Sequence, residues 1–236
     1  MSKNFELLRQ FEGEWRSPAV DDHLEPLGPA ANLGVKIVGR TYDELCRLVH
    51  RLFQPGADAA RCVLFTGAAP SVGCTWVTAH TAKVLCSRTS AQVCLVGMDT
   101  HEHQLREHFD YCNAGESDLR SPQPQRIATN LWILTADKLH SKDIASSPQP
   151  QEALLTDLRR RFDYVLLDAP AVASNSLASS FGAFIDGAVL VLKARHTRRP
   201  VVQLAVERLE SAGVKILGTV LNQRDYPIPQ SIYKRL

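Results

Sequence analysis

A run of small residues between an apolar segment and a helical pattern has the composition of a phosphate-binding loop. The apolar segment 61–66 leads into Gly67, small residues continue to Gly73, and the helical pattern starts at Thr75. Backbone N–H groups of such a loop, together with the positive end of the following helix dipole, bind anions. The common form reads G-x-x-x-x-G-K-[ST], with Lys on the phosphates and the hydroxyl on Mg²⁺. Because Cys74 stands where that lysine is expected, the loop predicts an anion site with altered chemistry.

Three more polar side chains follow apolar segments further along the chain. Asp168, followed by Ala-Pro170, has the position of a carboxylate that reaches Mg²⁺ or its water shell. Asp99 is a candidate for polarising a nucleophile or holding metal-bound water, and the amide of Asn222 offers a donor and an acceptor to an adenine edge. The simpler alternatives stay open: a turn without a ligand, Thr75 as a helix cap, and polar residues that only end strands.

The candidate site therefore has three groups of residues. The catalytic candidates are Asp99 and Asp168, and the candidate Mg²⁺ ligands are Thr75 and Asp168. The predicted nucleotide-binding positions are Gly67, Pro70, Ser71, Val72, Gly73, Cys74, Thr75, Trp76 and Asn222. A thiol at a helix N-terminus tends to ionise more readily, so a reactive Cys74 thiolate is an alternative to an inert small residue.

Alternating strand and helix patterns are expected to position these side chains. Short apolar runs predict strands at 61–66, 92–96, 131–134, 164–167, 188–192 and 216–221. Helical spacing predicts helices at 75–87, 102–109, 151–162, 174–184 and 200–212, and an earlier helix that begins with a capping box, Thr41 to Glu44. Continuous apolar strands separated by helices indicate a doubly wound α/β fold, with a mainly parallel sheet covered on both faces. Ligands bind such sheets at the carboxyl ends of the strands.

Composition limits the possible classes of protein. The chain has 236 residues and a formal net charge of +2, which does not indicate a nucleic-acid partner. No apolar run approaches the ~20 residues of a membrane span, so a cytoplasmic location is expected. The six cysteines are scattered and read as free core residues. We expect a mobile N-terminal arm at 1–36, with a short helix at 5–11, and a single domain at 37–236 that includes a basic C-terminal tail.

Taken together, the motifs resemble MinD/ParA-type P-loop ATPases. They are more similar to the cytoplasmic tyrosine-kinase domains of bacterial capsule and exopolysaccharide systems, the CpsD/CapB-like family, over 37–236. Asp168-Ala-Pro170 matches that family's D-x-P motif. Glu44 and Arg47 match the start of its E-x-x-R-x-x-R helix motif, while the second Arg falls one place late. The matches in the phosphate loop are Pro70, Gly73 and Thr75.

The resemblance implies ATP or ADP with Mg²⁺ as ligand, a membrane-anchored chain-length or copolymerase protein as partner, recruitment to the inner face of the membrane, and self-association through the Glu44/Arg47 helix. The departures concern catalysis. Cys74 replaces the Walker A lysine, and Gly97 replaces the first Asp of the second acidic motif, D-x-D, of which only Asp99 remains. These changes favour a degenerate regulatory or assembly subunit with weak or absent ATP hydrolysis.

Two alternatives remain open from the sequence. One is an active tyrosine autokinase that uses a surrogate cation after the 188–192 strand and modifies its tail tyrosines, Tyr226 and Tyr233. The candidate cations are Lys193, Arg195, Arg198 and Arg199. The other is a MinD/ParA-like positioning ATPase.

Overall fold

A seven-stranded sheet forms the centre of the computed structural model, which describes residues 37, 39–53, 59–98, 105, 108–109, 124–135, 148–173 and 181–224. The strands are β1 (Cys62–Gly67), β2 (Val93–Gly97), β3 (Gln125–Ala128), β4 (Leu131–Thr135), β5 (Tyr164–Ala169), β6 (Gly187–Lys193) and β7 (Ile216–Asn222). Their spatial order is β3-β4-β2-β5-β1-β6-β7, and every pair except β3–β4 is parallel. The predicted doubly wound, mainly parallel architecture is confirmed.

Four helices cover the sheet in the described ranges: α1 (Arg40–Leu52), α2 (Cys74–Arg88), α3 (Pro148–Arg161) and α4 (Arg199–Ser211). One apolar cluster joins α1 and α2 to one face of the sheet, and a second joins α3 and α4 to the other. Strands β1 and β2 are buried along their whole length, which explains why their sequences are apolar without alternation. None of these helices has the length and hydrophobicity that crossing a membrane requires.

Helix α2 is buried nearly all round, because it lies between the sheet and α1. All residues from Val77 to Cys86 are buried, including the charged Lys83, which is 2% exposed. The Lys83 ammonium donates to the carbonyl of His108 and lies 4.9 Å from the centre of the Phe109 ring. Buried lysines need such partners, so Lys83 fastens the 108–109 segment to α2.

Several local expectations were wrong. Helix α1 begins at Arg40 after Gly39, which has a φ of 71°, and no side chain caps it. Instead of completing the expected capping box, Glu44 pairs with Arg47 at 3.1 Å. The end of the helix predicted at 174–184 is a 3₁₀ turn, Gly182–Phe184, and residues 174–180 lie outside the described ranges.

Strand β3 was not predicted, because half of its four residues are polar and it pairs antiparallel at the edge of the sheet. The arm 1–36, the tail beyond 224 and most of the predicted 102–109 helix lie outside the described residues. The expectation of free cysteines is confirmed for Cys46, Cys62, Cys74, Cys86 and Cys94.

Asp186 joins three elements at the amino-terminal edge of the sheet. Its carboxylate accepts backbone N–H bonds from Arg61 and Cys62 at 2.7 and 2.8 Å, and it pairs with Arg159 at 2.6 Å. Burial alone would raise the pKa of this carboxyl group. The hydrogen bonds from Arg159 and from the two backbone N–H groups lower the pKa by more than burial raises it, so the net shift is downward. The start of β1 is therefore fastened to α3 through an ionised carboxylate.

We predict that Asp186→Asn lowers the free energy of unfolding by about 2 kcal/mol at pH 7, because charged hydrogen bonds are replaced by weaker ones. The folded pKa is depressed, so the contribution of Asp186 is present above the unfolded pKa of about 4 and is lost as pH falls through the folded value. Urea unfolding from pH 7 to pH 3 measures this. The difference between the variant and the parent is expected to shrink below about pH 4.

Asp157→Asn is the matched control, because Asp157 pairs with Arg161 along one side of α3 at 2.8 Å. Its effect is expected to stay below about 0.5 kcal/mol. Equal losses from the two substitutions would contradict the structural role given to Asp186.

Candidate functional site

The small-residue loop closes tightly over the end of strand β1. Its backbone is fixed on both sides, by Ala68 N–H to the Val191 carbonyl at 3.0 Å and by Val172 N–H to the Gly67 carbonyl at 3.0 Å. A Cβ atom at Gly67 would lie 2.7 Å from Val72 and 2.8 Å from the carbonyl oxygen of Ala69. Glycine is therefore required there for the loop to fold back on itself.

The loop ends at the N-terminus of helix α2. Gly73 precedes the helix in the left-handed conformation, with a φ of 82°, and its carbonyl accepts the first helical bond from Val77 at 3.1 Å. No side chain caps the helix, so the N–H groups of its first turn lack intrahelical acceptors. Uncapped N–H groups beside a tight loop fit a phosphate group, which supports the predicted anion site.

Asp168 lies at the end of β5, next to the first turn of α2. Its carboxylate is only 4% exposed and lies 3.4 Å from the hydroxyl oxygen of Thr78, which also lies 2.9 Å from the Cys74 carbonyl. The Asp168 carboxylate and the half-buried Thr75 hydroxyl, two residues already predicted, are hard oxygen donors of the kind that Mg²⁺ prefers. Thr78 was not predicted, although its position one helical turn after Cys74 is a usable signal.

Cys74 is directed towards this carboxylate. Burial raises the pKa of its thiol well above the ordinary value, and the charge of Asp168 and a hydrogen bond to it raise the pKa further. The Cys74 Sγ is also 4.0 Å from the Thr78 hydroxyl. The raised pKa favours the protonated thiol beside Asp168 and argues against the alternative of a thiolate favoured by the helix N-terminus. The effect of the helix dipole is smaller than those of burial and of an adjacent negative charge.

Asn222 reaches the loop from the end of β7. Its side-chain Nδ2 donates to the Val72 carbonyl at 2.9 Å and lies against Gly73, where any Cβ would overlap it. Gln223 approaches the same glycine, with its Nε2 3.5 Å from the position of that Cβ. This bond ties the Asn222 amide to the loop, while its predicted contact with an adenine edge stays a prediction.

Among the residues that the structure describes, three other than glycine have positive φ angles, and all three lie at the carboxyl edge of the sheet. They are Ser71 in the loop (58°), Arg195 after β6 (60°) and Gln223 after β7 (54°). Such conformations are unfavourable for residues with a Cβ and persist where surrounding contacts impose them. Backbone strain therefore marks the same edge of the sheet as the loop.

Gly97, at the end of β2, lies close to a buried leucine side chain that a larger residue would have to displace. A Cβ atom there would lie 3.0 Å from Cδ2 of Leu105, a side chain that is 3% exposed. The space where the resemblance implies an acidic side chain is thus adjacent to an apolar one. Asp99 lies outside the described residues, so its role stays a prediction.

The remaining predicted residues are placed as follows. Pro70 and Ser71 are exposed in the loop, and Val72 is buried beneath it. The ring of Trp76 stacks on His80, with centroids 4.1 Å apart, so this side chain already has an aromatic partner. The candidate surrogate cations lie at the same sheet edge, on the end of β6 and the start of α4: Lys193, Arg195, Arg198 and Arg199.

Comparisons with known proteins agree with this geometry. No family model matches the sequence. The chain is 26% identical over 180 residues to the tyrosine-protein kinase etk of Escherichia coli K12, an alignment that covers 68% of this chain and 23% of that kinase. It is 22% identical over 222 residues to the tyrosine-protein kinase ptk of Acinetobacter johnsonii, covering 88% and 30%. Its relatives are bacterial tyrosine-protein kinases. The chain spans only about a quarter to a third of the length of these kinase relatives.

Solved structures support the fold. The kinase domain of the E. coli tyrosine kinase ETK matches with a TM-score of 0.60 and 18% identity, covering 80% of this chain and 78% of that domain. MinD of Aquifex aeolicus matches with a TM-score of 0.54 and 18% identity, covering 75% and 73%. The bacterial tyrosine kinases and this chain thus share the P-loop NTPase-like fold of MinD.

We predict that the Cys74 thiol reacts slowly with iodoacetamide at pH 7.5, at least ~10-fold more slowly than a cysteine in a short peptide, since each unit of raised pKa lowers the thiolate fraction tenfold. Mass spectrometry of digested protein gives the rate for each cysteine. The half-buried Cys46 on α1 serves as the internal comparison.

Asp168→Asn is expected to accelerate labelling of Cys74, because the carboxylate contributes to its raised pKa. Labelling of Cys46 should be unaffected by this substitution. Fast labelling of Cys74 in the parent protein at neutral pH would contradict the raised pKa of its thiol.

Proposed function

We propose that the chain is a degenerate tyrosine-kinase-like P-loop protein that binds ATP or ADP with Mg²⁺ weakly and transfers phosphate poorly or not at all. The observation that carries the proposal is that a thiol, Cys74, stands in the lysine position: its Sγ lies 4.0 Å from the Thr78 hydroxyl, which lies 3.4 Å from the buried carboxylate of Asp168. Phosphate contacts come from the loop backbone and the first turn of α2. Thr75 and Asp168 are the residues that would hold Mg²⁺, which supplies positive charge near the phosphates when bound.

The loss of the lysine weakens binding less than it weakens catalysis. A charge-assisted hydrogen bond contributes roughly 1.5–3 kcal/mol. Its loss lowers the affinity about 10- to 100-fold. The backbone N–H groups and Thr75 would provide the binding that remains. Phosphoryl transfer requires positive charge where negative charge develops in the transition state, so the rate suffers more.

The environment of Gly97 supports the same conclusion. In the resembled family this position carries the first Asp of D-x-D, the proposed base. Here the neighbouring side chain is Leu105, which leaves no space for a carboxylate without movement. The two departures therefore affect different parts of the reaction, charge stabilisation and activation of the nucleophile.

The cellular role proposed is that of a regulatory or assembly subunit in capsule or exopolysaccharide biosynthesis and export. It is supported by relatives that include a tyrosine-protein kinase CpsD of Streptococcus agalactiae, 33% identical over 70 residues, and two longer kinases of which the aligned part is 30% and 23%. The proposed partner is a membrane-anchored chain-length or copolymerase protein, which would recruit the chain to the inner face of the membrane. Self-association through α1 would use the exposed Glu44 and Arg47 pair.

We predict that the parent protein binds ATP/Mg²⁺ and ADP/Mg²⁺ weakly by calorimetric titration, and that Cys74→Lys binds about 10-fold more tightly or better, because the charged phosphate contact is restored. Cys46→Lys is the matched control, since it adds the same charge on α1, away from the loop. If Cys74→Lys binds no better than the parent, the placement of residue 74 against the phosphates is wrong.

We predict that the purified protein incorporates no label from radiolabelled ATP, and that Cys74→Lys alone recovers little activity. The combination Cys74→Lys, Gly97→Asp and Leu105→Ala is expected to recover more, since Leu105→Ala makes space for the carboxylate. Incorporation of label is measured for each protein by itself and in the presence of a membrane partner, and phosphotyrosine analysis identifies the labelled residue type. Strong tyrosine labelling of the parent that is lost on Asp168→Ala would instead support an active autokinase with a surrogate cation.

A further inference from the structure

We propose that Asn222 is a positioning residue that holds the phosphate loop in its binding conformation. The inference rests on the proposed nucleotide-binding function and assigns a further task to a residue that the resemblance places near adenine. It follows from the contacts that Asn222 makes with the loop and from the strain in that loop.

The amide of Asn222 is bonded to the loop, 150 residues away in sequence. Its Nδ2 donates to the carbonyl of Val72, and the same atom lies against Gly73. The backbone of Asn222 is also fixed, because it pairs with Lys193 in the sheet and its carbonyl accepts the N–H of Ala194 at 2.9 Å. The side chain therefore projects from a rigid strand end, from which it can hold the loop in one conformation.

The loop needs such a support. Ser71 has a φ of 58° and Gly73 a φ of 82°, and only Val72 separates them in the sequence. A left-handed conformation is unfavourable for a non-glycine residue and persists only when other contacts impose it. The bond from Asn222 falls on the residue between these two positions, where it restrains both.

The bond to Val72 acts on the loop and not on a base. An Asn side chain has two N–H donors and one C=O acceptor, and this bond uses one N–H. It restrains the segment that would hold the phosphates before any ligand is bound. Asn222 should therefore affect every ligand that carries a polyphosphate, whatever base it has or lacks.

Titrations with three ligands test this distinction: Mg²⁺ complexes of ATP, GTP and inorganic tripolyphosphate, which has no base. In Asn222→Ala we expect all three affinities to fall by the same factor, about 5- to 10-fold, as for loss of one hydrogen bond that orders the loop. Asn222→Asp is expected to bind the three ligands at least as weakly as Asn222→Ala does, because a carboxylate cannot donate to the Val72 carbonyl. A loss confined to ATP, with GTP and tripolyphosphate unchanged, would overturn the proposal in favour of base recognition.

Hydrogen exchange provides a readout that needs no ligand. In Asn222→Ala, amides of residues 68–76 should exchange about 5-fold faster or more, while those in β1 and β5 keep their protection. Unchanged loop exchange would overturn the proposal even if nucleotide affinity falls. If the parent binds none of the three ligands, the proposed function fails, while the exchange result still decides the role of Asn222.

The matched control is Asn130→Ala. Asn130 also donates from its Nδ2 to backbone carbonyls, those of Cys86, Thr89 and Ala91, but near the C-terminal end of α2. Its substitution should lower global stability without selective exposure of the loop. Equal acceleration of loop exchange in both variants would indicate a general loss of stability and would contradict the positioning role.

Discussion

The site depends on one buried contact, that between the carboxylate of Asp168 and the first turn of helix α2. Strand β5 brings Asp168 between the ends of β1 and β2, where it pairs in register with Phe65 and Gly97. Its carbonyl accepts the N–H of Met98 at 2.8 Å, and its side chain faces Thr78 and Cys74. A buried carboxylate is costly unless it is hydrogen-bonded, so the loop, the helix and the two flanking strands must be arranged around it.

A cysteine at the lysine position is compatible with that arrangement because a protonated thiol is neutral beside the carboxylate. It supplies no positive charge, however, so the proposed anion site has backbone donors but no lysine. This separates two properties that are usually found together in such loops. The geometry that recognises a phosphate is preserved by Gly67, Gly73 and the uncapped helix. The charge that stabilises a transition state has to come from elsewhere or is missing.

Much of the fold could be predicted, because buried parallel strands have continuous apolar sequences that are easily recognised. Strands β1 and β2 and helix α2 lie within one or two residues of their predicted limits. The polar edge strand β3 could not be predicted, since its pairing with β4 depends on tertiary contacts and not on its own pattern. The capping box failed for a similar reason, because local sequence offered two partners for Glu44 and the structure uses Arg47.

The candidate site, too, could be predicted only in part from the sequence. Positions after strands could be assigned from topology, whereas contacts between distant side chains could not. The sequence placed Asp168, Asn222 and the loop at one edge, but the direction of the Cys74 thiol, the bond from Asn222 to Val72 and the approach of Leu105 to Gly97 depend on packing in three dimensions.

The positive φ angles of Ser71, Arg195 and Gln223 have a consequence for evolution and engineering. Glycine would adopt each of these conformations without strain, yet the chain keeps larger residues at all three. Natural proteins are rarely at their stability optimum, and strained positions persist where function opposes relaxation. The carboxyl edge of this sheet is therefore the region where selection for thermal tolerance and selection for activity would choose different amino acids.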